Sequence, residues 1–436
     1  MKNVNFSCSN CAYKSVKWLG CCPGCKEWSS FVEQTASSKK IKAAKQIDVK
    51  KLEDISDAWQ VRMVSGVQEW DRVIGGGIVP GSFLILTGDP GIGKSTLLLQ
   101  IASKLAEKNS VFYFSSEESL SQVKQRASRI VNGSNLLFSD SVNLESIISA
   151  VEQAKPDLII IDSIQNCYGS NSETFPGTIS QLREAGFELM RLAKENNIAV
   201  IATGHITKDG NMAGPKALEH MVDGVFYLQG EDRWYTRILR SVKNRFGPIN
   251  EVGFFEMSQN GLQEIEDINK ILLSEISNAP GSVLVSYIEG SRPLMVELQA
   301  LLVPAQFGAA QRVVSGVDHK QVVLIAAILE KYLQIKFSAQ DIFFKVAGGL
   351  KIKDSSADLG IALSLLSSYF QQSLPEKSLA LGEISLTGQI RPINQSSIHV
   401  KEAERFGVKN IFLAQNQNEK FGNRFKSVYE LVKLFN

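Results

Sequence analysis

The sequence predicts an α/β protein with a parallel-sheet core, with a small cysteine module before the core and an α+β domain after it. Five of the six cysteines lie within the first 25 residues. From residue 64 onward, buried strand-like runs alternate with helical patterns, which is typical of a parallel sheet. A turn at 278–281 precedes a second alternating series. A chain of 436 residues exceeds one ordinary hydrophobic core, so several domains are expected.

The cysteine module, residues 1–30, contains two CxxC pairs with ten residues between them, Cys8/Cys11 and Cys22/Cys25. This spacing suits a tetrahedral four-thiolate Zn²⁺ site. Cys21 is an alternative ligand, but Cys22 preserves the CxxC spacing. A segment this short cannot build an adequate core, so the metal is expected to supply its folding energy. We therefore expect a structural or partner-binding role for the module.

The rest of the chain is predicted to divide into a basic linker at 31–60, a central α/β domain at 61–268 and a C-terminal domain at 269–436. No apolar run approaches the roughly 20 residues that span a bilayer. The start of the chain lacks the apolar region of a secretory signal, which predicts a cytoplasmic protein. The net charge of +2 is close to neutral, so any DNA contact must come from local patches.

Four apolar runs predict the buried strands of the central domain, and a hairpin is predicted to extend their sheet. The runs are Phe83–Leu86, Val111–Phe114, Leu158–Ile161 and Ile198–Ala202, and the hairpin combines Val225–Leu228 with Trp234–Val242. In the last domain, helices are predicted at Gln321–Tyr332 and Ala357–Tyr369. The pattern places ligand-binding residues at the carboxyl ends of the parallel strands.

The most specific motif follows the first of these strands and fits GxxxxGK[ST]. Its glycines allow backbone N–H groups to point at phosphate oxygens, and the following helix adds the positive end of its dipole. Lys94 is expected to reach the β- and γ-phosphates of ATP, and Ser95 to place its hydroxyl on Mg²⁺. The predicted nucleotide contacts are Gly88, Asp89, Pro90, Gly91, Ile92, Gly93, Lys94, Ser95 and Thr96.

Carboxylates after two other strands complete the predicted catalytic set. Asp162 ends the run Asp157–Ile161 and is expected to hold Mg²⁺ through water. Glu117 and Glu118 follow the strand that ends at Phe114. Glu117 is the preferred general base that polarises the attacking water, and Glu118 is the alternative.

Beyond the phosphate loop, several blocks resemble the bacterial RadA family, and the resemblance extends over nearly the whole chain. These blocks are Gly75-Gly76-Gly77-Ile78-Val79-Pro80-Gly81-Ser82, Ser116-Glu117-Glu118-Ser119, Gly204-His205-Ile206-Thr207-Lys208-Asp209-Gly210, Ala213–Asp223 and Lys243-Asn244-Arg245-Phe246-Gly247. The resemblance implies a RecA-like ATPase core that assembles as a ring, with a hexamer expected. It also implies binding of single-stranded and branched DNA, cooperation with the RecA recombinase, and helicase or branch-migration activity in recombination and repair.

The same resemblance assigns expectations to particular residues. Lys243 and Arg245 are expected near a subunit boundary, where they would serve both DNA and the transition-state charge on a neighbouring nucleotide. Lys208 and Lys216 bracket a glycine-rich segment that resembles a DNA-facing loop. His205 is expected to sense the γ-phosphate.

The C-terminal domain resembles the Lon protease domain, which raises an ATP-dependent peptidase as an alternative function. The similar blocks are Glu289–Leu294, Val346–Leu350 and Leu381–Gly388. A serine–lysine dyad needs a nucleophile and a base, but alignment of the blocks places Ala357 and Ser397 at those two positions. A non-proteolytic scaffold is therefore predicted, although Ser356 and Lys401 lie nearby.

Two further interpretations stay open at this point. The scaffold could offer DNA a basic surface, made by Arg312, Lys345, Lys351 and Lys353. The core could also act as a regulatory ATPase that does not translocate.

Overall fold

The computed structural model describes residues 5–11, 13–34, 51, 61–130, 135–169, 178–205, 217–231, 234–274, 276–305, 310–419 and 422–435. The chain separates into two compact units, residues 1–59 and 60–436. The predicted boundary between a nucleotide-binding and a C-terminal domain falls inside the second unit and stays a prediction. No described helix is long and apolar enough to cross a membrane.

The first unit contains a three-stranded antiparallel sheet in the order β2-β1-β3. Its strands are β1 Asn5–Cys8, β2 Lys14–Ser15 and β3 Phe31–Gln34. The buried side chains are few: Cys8, Cys22 and Phe31 form the centre, with Phe6 and Leu19 packed against them. So small an apolar core agrees with a module that depends on a metal ion for stability.

The second unit begins with a sheet that contains nine strands within the described residues, in the order β12-β11-β10-β9-β4-β8-β7-β5-β6. The strands are β4 Phe83–Gly88, β5 Val111–Ser115, β6 Leu137–Ser139, β7 Leu158–Asp162, β8 Ala199–His205, β9 Gly224–Glu231, β10 Trp234–Asn244, β11 Val252–Ser258 and β12 Gly261–Glu264. The helices are α1 Gln68–Ile74, α2 Lys94–Leu105, α3 Leu120–Ile130, α4 Leu144–Ala154 and α5 Ile179–Asn196. The strands from β4 to β9 are parallel, and β10 begins the antiparallel part.

Alternation along β4 explains why its apolar run is buried on both faces. Leu84 and Leu86 pack into one hydrophobic cluster with α2, whereas Phe83 and Ile85 pack into a second cluster with α5. Helices therefore cover both faces of the sheet, as expected for parallel strands that are apolar throughout. The predicted α/β class is confirmed for this region.

The C-terminal region forms a mixed sheet in the order β15-β16-β14-β13-β17-β20-β21, and a separate pair β18-β19. Its strands are β13 Ser282–Glu289, β14 Arg292–Pro304, β15 Arg312–Ser315, β16 Gln340–Val346, β17 Ser378–Leu381, β18 Glu383–Ile384, β19 Ile390–Arg391, β20 Asn410–Ala414 and β21 Asn423–Phe425. Its helices are α6 Ile268–Ser274, α7 His319–Leu333, α8 Asp358–Phe370 and α9 Ser396–Arg405. The predicted helices within 321–332 and 357–369 correspond to α7 and α8.

The two large sheets are joined by a shared core and by partly buried ion pairs. Phe254 of β11 packs in the same hydrophobic cluster as the residues of β13 and β14. Glu69 of α1 accepts from Arg72 at 3.0 Å and from Arg292 of β14 at 2.5 Å. Arg72 also donates to Glu251 at 2.8 Å, so the carboxylates at this junction are paired. We call Glu69, Arg72, Glu251 and Arg292 the junction cluster.

Candidate active site and metal centre

The phosphate loop leaves the carboxyl end of β4 and requires glycine where it passes closest to its neighbours. Gly88 has a φ of +152°, and a Cβ there would lie 2.1 Å from the Leu228 carbonyl oxygen of β9. Gly93, with a φ of +114°, is the N-cap of α2. Both glycines are thus required by the turn, and the turn aims the N-terminus of α2 at the space above the sheet.

Lys94 is buried at the start of α2, and its ammonium group donates hydrogen bonds back to the phosphate loop. Its Nζ donates to the Gly88 carbonyl at 2.9 Å and to the Asp89 carbonyl at 3.0 Å. Burial lowers the pKa of Lys94, while the negative charges of Asp162, Glu117 and Asp89 oppose that change. A cation in this position is ready to bind phosphate oxygens.

Asp162, at the end of β7, is fixed by hydroxyl groups from the two neighbouring strands. Tyr113 of β5 donates to Oδ2 and Thr203 of β8 donates to Oδ1, each at 2.7 Å. Burial, followed by the charge of Asp162, raises the pKa of Tyr113, which keeps this phenol a donor. The carboxylate is therefore oriented before any ligand binds.

Glu117 and Glu118 have different partners, and Glu117 is the one held beside the Asp162 strand end. Ser163, which follows Asp162, donates from Oγ to Glu117 Oε1 at 2.7 Å. Glu118 instead accepts from Arg126 of α3 at 3.1 Å. Glu117 is exposed, and its charge acts on Lys94. This arrangement favours Glu117 over Glu118 as the group that faces a nucleotide.

Sequence reasoning missed the hydroxyl residues that position these carboxylates. Tyr113 lies inside the run Val111–Phe114 and Thr203 directly follows the run Ile198–Ala202, and nothing in the sequence indicates that their hydroxyls meet at one carboxylate. Ser163 could have been found, because it directly follows Asp162. The carboxyl ends of neighbouring parallel strands bring all of these groups to one edge of the sheet.

Lys243 and Arg245 lie near the amino end of β4, whereas the phosphate loop of the same chain leaves the carboxyl end of that strand. Lys243 of β10 pairs in register with Val225 and donates to the Glu219 carbonyl. Arg245 donates to Asp223 at 3.2 Å, and the same carboxylate accepts the N–H of Phe83, at the amino end of β4. Burial, and then the charge of Arg245, lowers the pKa of Lys243.

Three of the predicted contact residues fall outside the described part of the chain. These are Lys208, Lys216 and the side chain of His205, so the expectations attached to them remain predictions. Among the basic residues proposed for the C-terminal domain, Arg312 donates to the backbone carbonyls of Gln311 and Phe337, at 2.9 and 2.7 Å. Lys345, Lys351 and Lys353 are exposed.

The four predicted zinc ligands converge in the first unit. The sulfur atoms of Cys8, Cys11, Cys22 and Cys25 all lie within 4.8 Å of one another. Cys8 Sγ is 3.6 Å from Cys25 Sγ, and Cys11 Sγ is 3.5 Å from Cys22 Sγ. Tetrahedral Zn–S bonds place sulfur atoms about 3.8 Å apart, so the donor set fits the ion. Cys21 turns away and donates to the Lys26 carbonyl at 3.4 Å, as expected for a cysteine outside the site.

At the site that corresponds to the Lon-like catalytic dyad, the described residues form no serine–lysine pair. Ala357 is buried, and Ser397 is exposed on α9. Ser356 Oγ is buried and has no hydrogen-bond partner among the described residues, and Lys401 is exposed. Next to Ser356, burial raises the pKa of Asp358 to about 6.

Together, the phosphate loop beside an oriented aspartate, the sheet order and the sulfur cluster define a RecA-like P-loop ATPase that carries a zinc ribbon. DNA repair protein RadA of Listeria monocytogenes serovar 1/2a is 43% identical, and the match covers 95% of this chain and 93% of the relative. DNA repair protein RadA of Aquifex aeolicus is 40% identical, and the match covers 94% of this chain and 93% of the relative. This chain belongs to the DNA repair protein RadA family.

Family models match three separate parts of the chain. An AAA domain model matches residues 51–211, a rubredoxin metal binding domain model matches 6–33, and a model of subunit ChlI of Mg-chelatase matches 314–417. Among solved structures, the RadB recombinase is 22% identical with a TM-score of 0.39, and the match covers 47% of this chain and 100% of that structure. A DnaB-like replicative helicase is 17% identical with a TM-score of 0.40, and the match covers 48% of this chain and 62% of that structure.

Proposed function

We propose that this protein is a cytoplasmic ATP-driven DNA motor, a helicase or branch-migration factor that works with the RecA recombinase in recombination and repair. Its substrates would be single-stranded and branched DNA, and it would act as a homo-oligomeric ring, in the form of a hexamer. The observation that carries the proposal is the convergence of Lys94, Asp162 and Glu117 at one edge of the sheet. Membership of a DNA repair family supports DNA as the substrate.

Binding of ATP would use the phosphate loop as the structure presents it. Backbone N–H groups at the start of α2 would bind phosphate oxygens, with Thr96 adding a contact from the first helical turn. The Lys94 ammonium would exchange its bonds to the Gly88 and Asp89 carbonyls for bonds to the β- and γ-phosphates. Because Lys94 is buried, its charge would act there with little screening by water.

Ser95 and Asp162 are the residues that would hold Mg²⁺. Both oxygens of Asp162 already accept a hydroxyl, so the carboxylate would act on ordered water rather than move to meet the ion. The hydroxyl oxygen of Ser95 is a hard donor of the kind that this ion prefers. When bound, Mg²⁺ supplies positive charge to the phosphate oxygens.

Glu117 would accept a proton from the water that attacks the γ-phosphate. Ser163 holds one carboxylate oxygen, and this contact fixes the direction from which the carboxylate would orient that water. Lys94 would stabilise the charge that grows on the phosphoryl oxygens as the bond to the β-phosphate breaks.

Lys243 and Arg245 would act on the nucleotide of a neighbouring subunit. In their own chain they lie at the amino end of β4, whereas the phosphate loop leaves its carboxyl end. A role in phosphoryl transfer therefore requires assembly of subunits. DNA contacts are proposed for the same two residues and for Lys208 and Lys216, which would bind backbone phosphates without reading bases.

The test is a paired measurement of ATP hydrolysis and of unwinding of a branched DNA, with and without single-stranded DNA. The Lys94→Ala variant removes the phosphate-binding cation, and Lys104→Ala on the same helix is a matched control, because Lys104 is exposed and donates to the Gly66 carbonyl, away from the loop. DNA-stimulated hydrolysis and unwinding that are lost only in Lys94→Ala would support the motor. Hydrolysis that does not respond to DNA would support a regulatory ATPase instead.

A peptidase is the remaining alternative, and cleavage of casein tests it. The geometry around Ala357 offers no nucleophile with a base among the described residues, so we expect no cleavage with or without ATP. Cleavage that disappears in Ser356→Ala would overturn this expectation.

A further inference from the structure

The zinc ribbon exposes two of its largest side chains. Trp28 is 75% exposed and Trp18 is 55% exposed, although the ribbon has very few apolar residues with which to build a core. That core uses Cys8, Cys22 and Phe31 instead. Exposure of two indole rings is costly in a module that gains little from burial, so it indicates a surface for a ligand.

Both rings border the same small residue, Gly20. A Cβ on Gly20 would lie 3.8 Å from Cζ3 of Trp18 and 3.9 Å from Cζ3 of Trp28. The two indoles therefore share one face of the ribbon, on which Gly20 itself has no side chain. We call Trp18, Gly20 and Trp28 the indole face.

The backbone under the indole face is held in place by the zinc-binding turn. The Ser29 N–H donates to the Gly20 carbonyl at 2.8 Å, and Cys21 forms a β-bridge with Trp28. Cys22, a predicted zinc ligand, immediately follows Cys21. Rings on a fixed backbone lose little conformational entropy when they bind a flat partner.

Charge indicates the kind of partner. Lys17 and Lys26 are exposed and lie close to the ring-bearing residues in the sequence. Exposed aromatic rings combined with lysines suit single-stranded nucleic acid, because bases stack on the rings while ammonium groups contact the phosphates. Glu27 is exposed as well and offsets one of these charges, so stacking is expected to contribute more than the phosphate contacts.

We propose that the indole face binds single-stranded nucleic acid, with unpaired bases stacked on Trp18 and Trp28 and phosphates bound by Lys17 and Lys26. Duplexes bind this face more weakly, since their bases already stack on each other. The site uses residues of the first unit alone, and its occupation requires no ATP.

The experiment uses the full, zinc-loaded chain without nucleotide and a labelled oligothymidylate of about 12 nucleotides, within the site sizes of such proteins. Anisotropy reports affinity, and quenching of tryptophan fluorescence reports stacking. Each of Trp18→Ala and Trp28→Ala is expected to weaken binding about 5- to 100-fold, and the double variant to lose most of the quenching. An oligouridylate arm distinguishes DNA from RNA, and a duplex of equal length is expected to bind less tightly.

Three controls make the result decisive. Val16→Ala changes another exposed apolar residue of the ribbon and is expected to bind normally. Trp28→Phe keeps an aromatic ring and is expected to retain most of the affinity, and zinc content is measured for every variant. If the alanine variants lose zinc, Trp18→Leu and Trp28→Leu provide the comparison, because leucine keeps apolar bulk without a ring.

The outcomes also separate this proposal from the proposed motor. A Lys94→Ala chain that no longer hydrolyses ATP is expected to keep the ring-dependent quenching. Unchanged affinity and quenching in zinc-loaded ring variants would overturn the proposal. Ring variants that bind oligothymidylate normally but no longer bind RecA recombinase would overturn it as well, and would assign the indole face to a protein partner.

Discussion

Asp162 in the ATPase sheet and Asp358 in the C-terminal region are almost equally buried, with exposures of 4% and 6%, but their surroundings differ in charge. Asp162 accepts from two hydroxyls, and its negative charge acts on the ammonium group of Lys94. Asp358 accepts from the Gln321 side chain and the Ile384 N–H, and the acids nearby are Glu383 and Asp354. One carboxylate is oriented by hydroxyls and interacts with a cation, whereas the other lies among acids in surroundings that favour its neutral form.

The comparison predicts that carboxylates beside Asp162 serve ATP hydrolysis, and the largest loss of activity is expected on substitution of Glu117. Glu117→Gln keeps the size of the side chain and its hydrogen bond from Ser163, but removes the proton acceptor. We expect kcat for ATP hydrolysis to fall roughly 100- to 1000-fold. Glu118→Gln, which weakens the pairing with Arg126, is expected to change kcat less than about 5-fold. Equal losses in the two variants would contradict the assignment of Glu117 rather than Glu118 as the base.

The second prediction concerns pH and Asp358. Because burial raises its folded-state pKa to about 6, the folded protein retains this proton when the unfolded chain has released it. The contribution of Asp358 to stability is therefore lost as pH rises from about 4 through 6. We compare the free energy of unfolding of Asp358→Asn with that of the unsubstituted protein. We expect this difference to shift in favour of the variant by about 1–3 kcal/mol as pH rises from about 5 to about 7.5. Urea unfolding at both values measures this, and a difference independent of pH would contradict it.

A smaller effect is expected at Tyr113, whose hydroxyl holds Asp162. Tyr113→Phe removes one hydrogen bond without opening a cavity, and the resulting cost of about 1 kcal/mol corresponds to a several-fold loss of kcat. Tyr332→Phe is a matched control, because that hydroxyl donates to the Leu386 carbonyl in the C-terminal region. Similar hydrolysis rates in all three proteins would mean that Thr203 alone orients the carboxylate.

The smallest effect is expected at Ser356. Its buried hydroxyl has no hydrogen-bond partner among the described residues, so Ser356→Ala is expected to raise the free energy of unfolding by up to about 1 kcal/mol. ATP hydrolysis is expected to stay unchanged. A loss of stability would indicate that water or another group satisfies this hydroxyl.

The sequence alone predicted the features that are encoded in short stretches of consecutive residues. The phosphate loop and the CxxC spacing are of this kind, and so are the apolar runs of β4, β5, β7 and β8. The short strand β6 was missed, because three residues show too little periodicity. The hydroxyl contacts of Asp162 and the ion pairs of the junction cluster join residues far apart in the chain, so only the packed sheet could place them.

The junction cluster also bears on how work would be transmitted in the proposed ring. Glu69 and Arg292 tie α1 to β14, and Phe254 belongs to the same apolar core as the C-terminal strands. Close-packed interiors resist compression and transmit strain. We therefore expect the described strands and helices of the two large sheets to move as one stiff body, so that a displacement beside the phosphate loop is transmitted to the outer strands of the C-terminal sheet. Relative motion driven by ATP would then occur at the seams between subunits.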